Sequence, residues 1–207
     1  KAWLTAAIVL GGTYVNEEGE AADYELTGAD VTLAFAEGTY LKGEFASSEA
    51  TRSGLEYLSG DGGLTFEELN AAQPEDDLSG EAVTIEGRIA LPGGAEGTAD
   101  DAASAWWRQR EAGFARPGRE RGVETTSYGA EASIHLGADV GLSARGSVTK
   151  REGISRDEDY RAQVDLPIAE RLTLGGEVRH MVSAPDDGEE SPSTIGGARI
   201  AYDVTDA

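Results

Sequence analysis

Period-two alternation of apolar and polar residues recurs along almost the whole chain and is the feature that most constrains its fold. In residues 172–182, Leu174 and Val178 fall on one side of an extended chain, and Glu177 and Arg179 fall on the other. Helical periodicity is nearly absent. The pattern predicts about ten strands, at residues 3–15, 25–36, 39–48, 81–91, 103–113, 126–136, 139–150, 159–167, 171–182 and 194–203.

The predicted strands are about twice as long as ordinary strands, which average roughly five or six residues. About nine to eleven residues is the length that a tilted strand needs to cross a bilayer. The connections alternate between short and long. Short turns are predicted at 36–39, 136–139 and 167–170, with a somewhat longer one at 91–101. Long polar loops are predicted at 16–23, 49–80, 114–126, 151–159 and 183–193.

A meander with short turns at one end and long loops at the other is typical of transmembrane β-barrels. The apolar sets are rich in Ala and Gly, which suits lipid better than a packed sandwich core. The polar sets suit a wet lumen, where opposite charges on neighbouring strands can pair. We therefore predict an all-β fold, an antiparallel up-and-down transmembrane β-barrel. Its predicted lumen-lining residues are Arg88, Glu131, His135, Arg145, Arg161, Asp165, Glu177 and Arg179.

Two details refine this prediction. Aromatic residues lie near predicted strand ends, where the interfacial girdles of barrels are found; they are Tyr14, Tyr40, Phe45, Tyr128, Tyr160 and Tyr202. The segment 103–113 fits the alternation worst because Trp106 and Trp107 are adjacent. One of these two side chains must therefore face the lumen.

Composition excludes several classes of protein and site. The formal net charge is -22, from 39 acidic and 17 basic residues, and such a surface repels nucleic acid. The absence of cysteine excludes disulfides and thiolate sites. No apolar run is long enough for a membrane-spanning helix. Residues 1–12 have the short apolar stretch of a signal-peptide remnant, but Lys1 is their only basic residue and they run directly into a strand-like segment.

Three phrases carry a family resemblance: GADVTLAFAEGTYLKGEFASSEA at 28–50, AERLTLGGEVRH at 169–180 and GARIAYDVTDA at 197–207. They resemble Gram-negative outer-membrane β-barrel proteins, in particular the barrel portions of large surface proteins. The resemblance implies an outer-membrane location and a periplasmic turn at YDVTD. Such barrels usually end in a strand that closes on an aromatic residue, whereas this chain stops at Ala207. We therefore expect residues 1–207 to be a single barrel segment of a longer barrel.

Candidate ligand and catalytic sites are few. YLSGDGGLTFEE, at 57–68, resembles the later part of an EF-hand loop with Asp61 and Glu68 as calcium ligands, but its first position is Tyr57. The alternative is a Gly-Asp turn in an outer loop. His135 lies on the polar side with Glu131 and Ser133, in a spacing of two that does not converge as a catalytic triad does. No other cofactor is expected.

Two charged regions complete the set. The basic stretch contains Arg108, Arg110, Arg116, Arg119 and Arg121. It suits anionic lipid head groups or a pore rim, and the alternative is balance against the acidic loops. Acidic loop tips at 74–77 and 185–192 are interpreted as solvated loops or as sites for cations that bridge lipopolysaccharide.

The expected function is therefore an outer-membrane pore, transporter or surface anchor without enzymatic activity. Its expected partners are outer-membrane lipid and lipopolysaccharide, together with other parts of the same large protein or a partner protein. A soluble secreted β-sandwich or adhesin module is the first alternative. An outer-membrane barrel hydrolase is the second.

Overall fold

The computed structural model describes residues 7–18, 22–52, 57–58, 67–68, 77–91, 101–114, 123–136, 140–169 and 171–202. The strands in these ranges are β1 (Ala7–Glu18), β2 (Ala22–Ala36), β3 (Thr39–Arg52), β4 (Tyr57–Leu58), β5 (Glu67–Glu68), β6 (Asp77–Ala90), β7 (Ala102–Arg110), β8 (Thr125–Leu136), β9 (Val140–Arg151), β10 (Ser155–Ala169), β11 (Leu172–Pro185) and β12 (Ser191–Tyr202). No helix in these ranges is long and apolar enough to span a membrane.

The long strands form one ten-stranded sheet, and β4 and β5 form a separate two-stranded pair. The order in the sheet is β1-β2-β3-β6-β7-β8-β9-β10-β11-β12, and every pairing is antiparallel. The predicted all-β, up-and-down antiparallel meander of ten strands is therefore confirmed. The sheet is open: within the described residues β1 pairs only with β2, and β12 pairs only with β11.

The strands extend further into the predicted loops than alternation indicated. The long loop predicted at 151–159 is wrong, because β9 ends at Arg151 and β10 begins at Ser155. A tight turn joins them, in which Ile154 N–H donates to the carbonyl of Arg151 at 3.0 Å and Gly153 takes a φ of 68°. A strand with polar residues on both faces, as in Ser155–Asp159, shows no apolar–polar alternation, but its backbone still forms the hydrogen-bond ladder.

The register assigns each residue to one of two faces, because paired residues on neighbouring strands point to the same side. We call the side that carries Ile85, Ala132, Leu142, Val164 and Val178 the apolar face. We call the side that carries Glu86, Glu131, Arg145, Arg161 and Glu177 the polar face. On β8, β9 and β10 the apolar face runs through Tyr128, Ala130, Ala132, Ile134 and Leu136, through Val140, Leu142, Ala144, Gly146 and Val148, and through Tyr160, Ala162, Val164 and Leu166.

Large side chains are exposed on both faces. Ile85 and Val178 on the apolar face are 47% and 48% exposed, and the side chains of Arg145 and Arg161 on the polar face are 59% and 50% exposed. Contacts between strands occur only between neighbours in the sheet, so no described strand covers either face. A soluble sheet differs in this respect, because its apolar side is covered.

Close packing occurs on the polar face at the end of the long loops, where Tyr24, Ser48 and Phe114 are buried. The turn after β7 approaches β6 so closely that a Cβ on Gly80 would lie 2.3 Å from the backbone nitrogen of Phe114. Glycine is therefore required at position 80 by backbone contact, and the turn folds over the polar side of the sheet.

Candidate functional site

The polar face is the candidate site, because it gathers the charged residues singled out in the sequence. The register places all of the predicted lumen-lining residues on this face. These are Arg88, Glu131, His135, Arg145, Arg161, Asp165, Glu177 and Arg179. Their side chains point to the same side of the sheet, as the alternation predicted; that this side encloses a lumen stays a prediction.

Most of these residues lie in one row that crosses the sheet perpendicular to the strands. Successive partners in the register are Tyr40, Arg88, Ser104, Glu131, Arg145, Arg161 and Arg179, one from each of β3 and β6–β11. Three arginines therefore stand directly opposite one another on β9, β10 and β11. Like charges in directly opposed positions destabilise a sheet unless other groups compensate them.

Carboxylates in the same row and in adjacent rows supply that compensation. Asp159 accepts two hydrogen bonds from Arg179, from Nε at 2.9 Å and from Nη2 at 2.6 Å. Glu177 lies 3.0 Å from Nε of Arg161. Glu131 lies 3.6 Å from Arg145, a longer contact than the other two. The polar face is therefore a network of cross-strand ion pairs with the guanidinium groups partly open to solvent.

The hydroxyl groups of Tyr40 on β3 and Ser104 on β7 also belong to this network. The Tyr40 hydroxyl donates to Glu86 at 2.6 Å, and Arg108 approaches the other carboxylate oxygen of Glu86 at 3.8 Å. The Ser104 hydroxyl donates to Glu131 at 3.2 Å. Sequence reasoning missed Tyr40 in this role, because it was interpreted as a girdle residue. The alternation of β3 places Tyr40 on the same side as the other residues of the polar face.

Glycine gaps allow polar side chains to reach across a strand. Arg199 on β12 contacts Asp165 on β10 at 2.6 Å, and the residue between them on β11 is Gly175. A Cβ on Gly175 would lie 2.8 Å from Oδ1 of Asp165 and 3.1 Å from Nε of Arg199. The missing side chain therefore opens the path of this ion pair.

Trp106 uses a second gap. It lies on the polar face and Trp107 on the apolar face, as the adjacent pair required. Its ring covers Gly129 on β8, where a Cβ would be 2.4 Å from Cζ2 of Trp106. The guanidinium carbon of Arg145 lies 5.2 Å from the ring centroid, a cation–π contact. Trp106 thus holds Arg145 in place on the polar face.

His135 pairs with Asp101, a residue that sequence reasoning assigned to a turn. Asp101 is buried, and one of its oxygens accepts from the backbone N–H of His135 at 2.8 Å and contacts Nδ1 at 2.6 Å. Asp101 was missed because only the fold brings residue 101 beside the end of β8. Glu131 instead contacts Arg145 and Ser104. Glu131, Ser133 and His135 are alternate residues on one face of β8.

The structure adds little support for the remaining candidate site residues. Asp61 lies outside the described residues, and Glu68 lies in β5 opposite Tyr57. No cluster of three or more His, Cys, Asp or Glu side chains suited to a metal occurs in the described ranges. His180 lies on the apolar face, with Nδ1 2.8 Å from the Thr194 hydroxyl. Of the basic stretch, Arg116, Arg119 and Arg121 lie outside the described ranges.

A shallow depression of about 1040 Å³ lies among side chains of the apolar face. Small residues form its floor: Gly87, Ala103, Ala105, Ala130, Ala132, Ala144, Gly146 and Ala162. Larger residues border it, including Leu41, Ile89 and Tyr160.

The chain matches no protein-family model, and no curated protein is significantly similar to it.

Proposed function

We propose that this sheet is the wall of an outer-membrane β-barrel that serves as a pore, transporter or surface anchor. The observation that carries the proposal is the assignment of the faces. The side with apolar residues is uncovered and carries exposed large side chains, and the side with charged residues is internally paired. A bilayer around the apolar face and water along the polar face satisfy both sides.

The dimensions of the apolar face support a membrane environment. On β8 it runs from Tyr128 to Leu136, about nine residues, which is near the length that a tilted strand needs to cross a bilayer. Trp107, Tyr128 and Tyr160 stand on this face towards the end of the long loops, and Tyr202 stands towards the other end. Aromatic side chains at both margins of an apolar band are typical of membrane barrels.

Closure of the wall is part of the proposal. The edge strands leave long rows of backbone N–H and C=O groups without ladder partners, which is an aggregation hazard in water. In a bilayer such edges are not tolerated, because no water is present to satisfy them. We propose that β1 and β12 pair with each other, or with further strands, in the assembled protein.

A soluble sandwich or adhesin module would need a second layer on the apolar face. No described element supplies one. The depression floored by Ala and Gly also suits lipid chains better than a packed core, because lipid fills irregular surfaces that a core would leave as voids. Within the described residues, the hydrolase alternative has the His135–Asp101 pair as its only geometric support, and the arrangement of Glu131 and Ser133 does not extend that pair.

The absence of cysteine makes a direct test possible. We would introduce single cysteines at Ser143 and Ser147 on the polar face and at Leu142 and Ala144 on the apolar face of β9, and label the protein in native membranes. We expect a membrane-impermeant maleimide to label positions 143 and 147, and a lipid-soluble maleimide to label positions 142 and 144. Heat-modifiable gel mobility provides an independent readout of a folded barrel.

Two outcomes contradict the proposal. Labelling of positions 142 and 144 by the water-soluble reagent, with 143 and 147 protected, would mean that the apolar face is in water or that the register is inverted. Recovery of the protein in a soluble fraction without detergent would instead favour the secreted sandwich.

A further inference from the structure

We propose that the row Arg88, Arg145, Arg161 and Arg179 binds an organic anion that carries two or more carboxylate or phosphate groups. The row belongs to the polar face, and the inference deepens the proposed function by naming the class of solute that this face recognises. It can be tested on detergent-refolded protein, so failure of binding and failure of membrane assembly give different results.

The alignment of the arginines has an energetic cost. Arg145 is opposite Arg161, and Arg161 is opposite Arg179, in the register of three adjacent strands. A wall that needed only neutrality would alternate acids and bases along a row, as Glu131 and Arg145 do. Directly opposed like charges reduce stability. Their presence is accounted for if a ligand uses several guanidinium groups at once.

The arginines of the row are accessible to a ligand. The side chains of Arg145, Arg161 and Arg179 are 59%, 50% and 37% exposed although each contacts a carboxylate. A guanidinium group has five N–H donors in a planar fork, so a single carboxylate partner leaves donors free. The ion pairs thus orient the arginines and leave donors directed to the solvent side of the polar face.

The local charge balance of the row also favours an anion. Within the described part of the chain, Arg88 has no ion-pair partner, so the row carries one positive charge more than its carboxylates neutralise. Arg145 is also held by Trp106, and its contact with Glu131 is the longest of the three. An incoming anion can therefore displace this contact while Trp106 keeps the guanidinium in position.

The spacing defines the ligand class. Neighbouring strands lie about 4.8 Å apart, so the three opposed arginines span roughly 10 Å. Carboxylate and phosphate groups accept two parallel hydrogen bonds from one guanidinium. A di- or tricarboxylate, or a molecule with two phosphate groups, spans two or three of these positions. A monovalent anion contacts only one.

The test is equilibrium binding of citrate and of pyrophosphate to the refolded full chain, by calorimetry at low salt. We expect saturable binding of at least one of the two probes, and the stronger probe assigns the carboxylate or the phosphate class. Acetate should bind far more weakly. Arg161→Gln should weaken binding about tenfold, because it removes a charged hydrogen-bonding partner and leaves Glu177 uncompensated.

Variants with opposite expected signs keep the test independent of folding. Glu177→Gln should strengthen binding several-fold, because Arg161 loses its competing carboxylate. Arg199→Gln is the matched control: it removes an ion-paired arginine from the same face but outside the row. Absence of saturable binding overturns the proposal. So does equal weakening by Arg161→Gln and Arg199→Gln, or weakening by Glu177→Gln.

Discussion

The two faces of the sheet are built from the same strands, yet different rules govern them. On the polar face, charged side chains pair across strands, and Gly129 and Gly175 leave gaps that their neighbours fill. On the apolar face, Gly87, Ala103, Ala132 and Ala144 leave a depression that no described residue fills. A small residue is therefore part of a fitted contact on one face and part of an open surface on the other.

This difference indicates where specificity lies in the molecule. Substitutions on the apolar face should depend on hydrophobicity and hardly on shape, if lipid is the neighbour. Substitutions on the polar face should depend on shape and on charge pairing.

The largest effect is expected for a charge placed on the apolar face. Leu142 lies between Ile134 and Val164 on that face. Leu142→Arg should destabilise the protein by about 2–4 kcal/mol in a bilayer, or block its assembly. Ser143→Arg, one residue along and on the polar face, should be nearly silent. Urea titrations of protein refolded into lipid vesicles measure both values.

Leu142→Arg is also harmful to a soluble sandwich, so Leu142→Phe is needed to separate the two. Lipid accommodates the larger ring, and the change should cost well under 1 kcal/mol, whereas overpacking a dense core costs about 1–3 kcal/mol. A strongly destabilised Leu142→Phe protein in the same titration would argue for a packed core and against lipid.

The sequence predicted the strands better than it predicted the contacts between side chains. Alternation predicted the strands and the face on which residues such as Arg161 and Glu177 lie, because a period of two residues is enough to assign each side chain to one side of a strand. It missed the extension of β10 over Ser155–Glu158, where both faces are polar and only pairing with β9 and β11 holds the strand. It could not supply closure, since alternation is the same in an open and a closed sheet.

The row of arginines shows the same limit. Each of Arg145, Arg161 and Arg179 was predicted to face one side, but their alignment depends on the turn lengths between strands. A shift of one strand by two residues would keep every face and destroy the row. The pairing of Asp101 with His135 was likewise invisible, because Asp101 lies outside any alternating segment.

The second prediction concerns the fitted contact beneath Trp106. Gly129→Ala places a Cβ 2.4 Å from the ring and 2.5 Å from the carbonyl oxygen of Gly146. Because the backbone cannot retreat without disturbing β9, we expect a loss of about 1–3 kcal/mol in the unfolding titration. Trp106 fluorescence should shift as the ring moves.

The control for this change is Gly141→Ala, on the same face of β9. There the nearest atom, Cβ of Asp165, is 3.7 Å from the added carbon, an ordinary contact. Alanine in place of glycine should be neutral or slightly stabilising, since it reduces the freedom of the unfolded chain. Equal losses for Gly129→Ala and Gly141→Ala would show that the fit around Trp106 has no special role.

A smaller effect is expected at Gly175. Its Cβ would meet the flexible ends of Asp165 and Arg199, which can move apart, so Gly175→Ala should cost no more than the ion pair, about 0.2–1 kcal/mol. Gly197→Ala, on the same face of β12 with nothing within 4 Å, should show no loss. The Gly175 effect should also shrink at high salt, because the pair is partly exposed; a salt-independent loss would indicate backbone strain instead.

The smallest effect concerns Asp157, near the turn between β9 and β10 and beyond the end of the apolar face. The Ser183 hydroxyl, which donates to Asp157 at 2.7 Å, and the Arg151 guanidinium hold the pKa of this carboxyl below its ordinary value of 3.8. A depressed pKa stabilises the folded state above the unfolded pKa, and this contribution is lost as the pH falls through the folded value. Asp157→Asn should therefore cost about 0.2–1 kcal/mol at pH 7, and the gap between variant and parent should close below about pH 4. A gap that is unchanged at low pH would mean that the side-chain shape of Asp157, and not its charge, stabilises this end of the sheet.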